Sequence, residues 1–138
     1  MNFFLGFLFS IALARAEGIV FIVNQHNEMT TMNREQIADF FLKRNRAWPD
    51  GTPVKFFDHP DSSSERRIFL RNYIQKSTRD IELYWIGQKL YTGHSAPSQV
   101  STDAMVEIMV SRFPGAIGYV SDDYTLTRPV KKVTVEEK

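Results

Sequence analysis

Apolar and polar positions alternate in blocks along the chain, and the blocks change period. Ile19-Val20-Phe21-Ile22-Val23 is a short, wholly apolar, β-branched run. Such a run reads as a strand buried on both faces. Asn33 then stands where a helix cap is needed, with Gln36 three residues on and a Met32–Ile37 staple. Ile37, Phe40 and Phe41 follow at helical spacing and make the apolar face. Trp48 to Pro53 is a turn, and Val54 to Phe57 is a second buried strand. Three more helices are expected from near Ser62, Ser77 or Thr78, and Ser101 or Thr102. The first buries Phe69, Tyr73 and Ile74, and the second Ile81, Tyr84 and Trp85. The last carries Val106, Met109, Val110 and Phe113 at i, i+3, i+4 and i+7 before Pro114-Gly115 stops it. Residues 116–120 form a third strand and residues 130–135 a weaker fourth, with a loop over 91–99. Strands buried on both faces and interleaved with helices predict a three-layer α/β/α domain with a mostly parallel sheet.

Composition changes this picture at the N-terminus. Residues 3–13 (FFLGFLFSIAL) are almost wholly apolar, and Ala14-Arg15-Ala16 follows. The run is shorter than the ~20 residues a spanning helix needs, and the small residues suit a signal peptidase. Residues 1–16 therefore read as a signal peptide, and residues 17–138 as one periplasmic domain. Cleavage would leave 138 − 16 = 122 residues. Removing Arg15 leaves 17 − 1 = 16 basic against 16 acidic side chains. This balance gives no nucleic-acid footprint. The chain has no cysteine, which excludes a disulfide framework and a thiolate metal site. His26, His59 and His94 lack ligand spacing and read as scattered surface histidines. No strand–Gly-x-Ser-x-Gly–helix elbow is present, so no enzyme and no cofactor are expected. Trp48 and Tyr91 are the aromatics expected to be partly exposed, where a partner protein could dock.

The candidate chemistry lies in Asp58-His59-Pro60-Asp61-Ser62-Ser63-Ser64-Glu65-Arg66-Arg67. It follows a strand end, where ligands collect in open α/β sheets. Ser62 and Glu65 match a capping box, which predicts Ser62 as the helix cap. Ser63, Ser64 and free N–H groups are then donors for an oxyanion, with Arg66 or Arg67 supplying charge. Asp58, Asp61 and Glu65 would repel a dianion unless one accepts a proton from a protonated phosphate oxygen.

Several pieces together resemble the periplasmic phosphate-binding family, the solute-binding components of phosphate ABC transporters. They are IADFFLK (37–43), WPDGTP (48–53), Phe69, Tyr73, Tyr84-Trp85, Tyr91-Thr92-Gly93, Pro97 and PGAIGY (114–119). The resemblance runs over residues 19–135 and implies one lobe of a type II periplasmic-binding-protein fold, in a short single-lobe branch. It implies phosphate or a related oxyanion as ligand, with Asp58, Ser62, Ser63, Ser64, Arg66 and Arg67 as the ligand-binding candidates. One lobe leaves the anion half-solvated, so the implied binding is weak and serves uptake or sensing. The two-lobed members carry an arginine where this chain has Asp58. The alternative is a domain that keeps the fold and serves as a periplasmic interaction module. A periplasmic or transporter protein is the implied partner, and a homodimer pairing two copies face to face would rebuild a cleft.

Overall fold

The computed structural model describes residues 18–137. The signal-peptide expectation over residues 1–16 lies outside the described residues. Among these, no helix is long and apolar enough to cross a membrane.

The elements run β1 (Ile19–Asn24), β2 (Thr31–Asn33), α1 (Arg34–Phe41), β3 (Lys55–Asp58), α2 (Ser64–Phe69), α3 (Thr78–Tyr91), β4 (Ser98–Gln99), α4 (Asp103–Arg112), β5 (Ala116–Ser121) and β6 (Val130–Glu136). After α2, Leu70–Ile74 continues as a π-helical turn that ends at Gln75 with φ 57°. The sheet has six strands in the order β2-β6-β1-β5-β3-β4. Three of its five pairings are parallel: β2 with β6, β3 with β5, and β3 with β4. The first strand is the exception, because β1 runs antiparallel to both β5 and β6.

Strand alternation sorts the core into two layers, since successive side chains point to opposite faces. Phe21, Val23, Phe56, Ile117 and Tyr119 lie on one face with Ile37, Phe40 and Phe41 of α1 and Phe69 of α2. Ile22, Phe57, Ala116 and Val120 lie on the other, against Val106 and Val110 of α4. Helices therefore cover both faces, as the apolar runs required.

Local chemistry fixes the edges of this frame. Asn33 accepts from the Gln36 backbone N–H while the Gln36 side chain accepts from the Asn33 N–H, so the expected capping box is present. Met32 and Ile37 are both buried beside it. Trp48 is 4% exposed rather than partly exposed. Its indole N–H donates to the Gly115 carbonyl at 2.9 Å, which ties the 48–53 turn to the start of β5. Gly118 is needed for close approach: a Cβ there would sit 2.5 Å from Val106 Cγ1, closer than packed carbons allow. Two short strands, β2 and β4, go beyond the four expected. Each has only two or three residues and shows no periodicity.

Candidate functional site

The site lies at the carboxyl end of β3. Phe56 and Phe57 anchor that strand in the two cores, so Asp58 and His59 emerge at its end already buried, at 3% and 1% exposure. Pro60 and Asp61 turn the chain. Ser63 then caps α2, accepting from the Arg66 N–H at 3.1 Å and donating its hydroxyl to the Pro60 carbonyl at 2.8 Å. The expected Ser62–Glu65 capping box is thus displaced by one residue. Ser62 is exposed, and the side chain of Glu65 is met instead by the Ser64 hydroxyl at 3.4 Å. The reason is a hydrogen bond: the Pro60 carbonyl takes the Ser63 hydroxyl and holds it at the helix start. A testable consequence follows for stability. Ser63→Ala should lower it by about 1 kcal/mol, whereas Ser62→Ala should leave it within about 0.5 kcal/mol. Urea unfolding of the two variants checks this, and the reverse order would restore Ser62 as the cap.

A buried polar network organises the rest. The Asp58 carboxylate accepts from the Tyr119 hydroxyl and from the Arg66 guanidinium. It also accepts from the His59 N–H at 2.7 Å. Arg66 is 6% exposed, and its Nε stands 2.6 Å from Asp61 Oδ1. Burial works against the charge on Arg66, but Asp58 chiefly, with Tyr119 and Asp61, outweighs it and raises the arginine's pKa above its ordinary value. Burial, with Asp58 as acceptor, likewise pushes the Tyr119 hydroxyl far above its ordinary range, so it stays protonated and donates.

His59 is buried, not a surface histidine as its loop position suggested. Its Nε2 faces the Tyr119 carbonyl at 2.8 Å and Asp103 Oδ1 at 3.4 Å. A carbonyl only accepts, so the ring proton sits on Nε2. Asp103 at the start of α4 is held above the usual carboxylate range, mainly by burial.

The six candidates therefore divide. Asp58 and Arg66 are buried and paired with each other, and Ser63 has spent its one donor on Pro60. Ser62, Ser64 and Arg67 remain exposed around the first turn of α2. Sequence reasoning missed Tyr119, His59 and Asp103 as members of the network. No local pattern signals them: the parallel pairing of β3 with β5 brings Tyr119 beside Asp58 and His59, and Asp103 arrives from the start of α4.

No protein-family model matches the chain. No curated protein matches it in sequence. Solved structures do match its fold. Over 86% of its length the chain shares its fold with part of three solved solute-binding proteins. An ABC-type phosphate transport receptor from Vibrio cholerae superposes with a TM-score of 0.68 at 18% identity, over 86% of this chain and 46% of that one. PstS from Borrelia burgdorferi gives 0.67 at 16% identity, over 86% and 47%. A phosphate ABC transporter substrate-binding protein from Clostridium perfringens with bound phosphate gives 0.65 at 18%, over 86% and 44%. The chain thus has the fold of phosphate-transporter substrate-binding proteins and spans less than half the length of each.

Proposed function

We infer that this chain is an extracytoplasmic solute-binding-protein-like domain that binds a phosphate-class oxyanion weakly. The observation that carries the reading is the placement of the 58–67 stretch at the carboxyl end of β3. There, exposed Ser62, Ser64 and Arg67 surround a capped helix start in a fold shared with phosphate binders. The N–H groups in a first helical turn have no partner within the helix and suit an anion. Weak binding follows from the charges. Arg66 already serves Asp58 and Asp61, which leaves Arg67 beside the serines as a cation without a salt bridge among the described residues.

Calorimetric titration of the chain with phosphate, sulfate and chloride tests this. Phosphate should give saturable heat in the millimolar range and chloride none. Ser64→Ala and Arg67→Gln should each weaken binding by about 0.5–3 kcal/mol, the larger value for a bond to a charged group. Asp61→Asn should strengthen it, because it removes a like charge near the ligand. Asp61 is half exposed, so this change leaves the core intact.

One observation favours a second reading. Asp58 occupies the Arg66 guanidinium from inside the protein, so a carboxylate of the chain already takes the bonds an anion would seek. On that reading the fold persists as an interaction module. Absence of phosphate heat, unchanged by Asp61→Asn, decides for it.

A further inference from the structure

We propose that a groove beside the start of β3 is a separate site for a small molecule bearing two or more acidic groups, phosphate or carboxylate. The groove has a volume of about 880 Å³, within the range of about 300–1,000 Å³ typical of small-ligand pockets. It lies at the opposite end of β3 from the site described above: Lys55 is the first residue of that strand and Asp58 the last.

Its lining is one-signed. Lys43, Arg44, Arg46 and Lys55 all face it, together with His94, and among the described residues no carboxylate does. Arg44 is partnered by Asp39 at 3.3 Å. Lys43, Arg46 and Lys55 have no salt bridge among the described residues. A chain with a net charge of only +1 thus concentrates uncompensated cations in one concavity. Such a concavity focuses field on an anion.

The cations are also positioned. Lys55 Nζ stands 4.0 Å from the Phe113 ring centroid, and Lys43 Nζ stands 5.8 Å from that of Phe56. Cation–π contacts of this kind hold a charge over an apolar floor without neutralising it. Arg46 Nη1 meets His94 Nε2 at 2.8 Å. A guanidinium only donates, so the His94 nitrogen accepts and the ring proton lies on Nδ1. Burial, then Arg46 and Lys43, hold the His94 ring below its ordinary pKa. Burial and Arg46 do the same to Lys43. The groove therefore gathers cations and a neutral imidazole around two aromatic rings, which suits an anion with several separated charges better than one compact ion. The balanced charge of the rest of the chain argues against a nucleic-acid backbone, which needs an extended basic stripe.

Titration of the full chain at low salt with tripolyphosphate, citrate and inorganic phosphate, followed by calorimetry and by the His94 ring resonances, tests the proposal. Tripolyphosphate or citrate should shift the His94 resonances saturably, as a single binding step. Arg46→Gln with Lys55→Gln should weaken that binding at least about tenfold. Both side chains are exposed, so the fold should persist; Arg46→Gln alone, with a smaller loss, carries the same test. Ser64→Ala with Arg67→Gln should leave the tripolyphosphate-induced shift of the His94 resonances unchanged, which separates this site from the one at residues 62–67. Absence of saturable tripolyphosphate or citrate binding would overturn the proposal, as would affinity that survives the groove substitutions. Tighter binding of a single-stranded oligonucleotide or of phosphatidylglycerol vesicles would also overturn it, by making the groove part of a macromolecular surface. Loss of inorganic phosphate binding at residues 62–67 would leave these outcomes untouched.

Discussion

Asp58→Ala should destabilise the folded chain by about 3–5 kcal/mol, read as a lower urea midpoint with an unchanged slope. The carboxylate is 3% exposed and Arg66 is 6% exposed, so the substitution strands a guanidinium and a Tyr119 hydroxyl in the interior. Asp61 offers only partial relief, because it is half exposed and its attraction is screened. Removing both charges should behave differently. Asp58→Ala with Arg66→Met should recover a substantial part of the loss, since an apolar pair avoids the desolvation that the ions carry. If the single substitution stays within about 0.5 kcal/mol of wild type, the network is a surface ornament and not a core element. The result also bears on function. A network this costly to break leaves little freedom for Asp58 to swing aside and release Arg66 to a ligand.

Glu107→Leu should have a comparable effect, about 3–5 kcal/mol, and should alter the acid limb of stability. Glu107 is fully buried on α4. It accepts from the Tyr124 hydroxyl and from the Thr127 and Arg128 N–H groups, each at 2.6 Å. The carboxylate thus secures the 122–129 connection to the α4 face of the sheet. Burial alone would raise its pKa. The three hydrogen bonds, with Arg128 beside them at 3.6 Å, outweigh burial and hold it below the usual glutamate value. The linkage has a definite sign. A depressed folded pKa means the unfolded chain binds the proton first, so the stabilisation is present above the unfolded value of about 4.3. It is lost as pH falls through the folded value. Asp103 works in the opposite sense: its raised pKa favours the folded state in acid, and that contribution disappears as pH rises through its folded value. Thermal unfolding between pH 3 and pH 7 should therefore show a steeper acid decline in wild type than in Glu107→Leu. Parallel pH profiles would mean that Glu107 does not titrate with folding.

The candidate site was only partly legible in the sequence, for a physical reason that differs from residue to residue. The position of the loop followed from the apolar strand that precedes it, and the run from Asp58 to Arg67 stands where expected. Which serine caps the helix did not follow. Ser62 and Ser63 both satisfy the residue preference, and the choice falls to Ser63 because the Pro60 carbonyl takes its hydroxyl. The burial of His59 was not legible either. Its ring is enclosed by Tyr119 and Asp103, which are 60 and 44 residues away by number (119 − 59 and 103 − 59). Nor could the local pattern show that Asp58 would neutralise Arg66, since a strand end and a helix turn meet only once the chain reverses at Pro60 and Asp61.

The two-sided burial of β1 and β5, the Asn33 capping box, the stop at Pro114-Gly115 and the layered α/β/α class are all legible in the order of residues along the chain. Each of these rests on a local rule: the period of the apolar positions, a side chain that satisfies an orphan N–H, or a backbone that cannot continue a helix. Tertiary structure alone decided that β1 runs antiparallel to both neighbours, that β2 and β4 extend the sheet, and that Trp48 is buried against Gly115. It alone gathered Lys43, Arg46, Lys55 and His94 into one groove. Pairing direction and charge clustering depend on which distant segments become neighbours, and no local period carries that information.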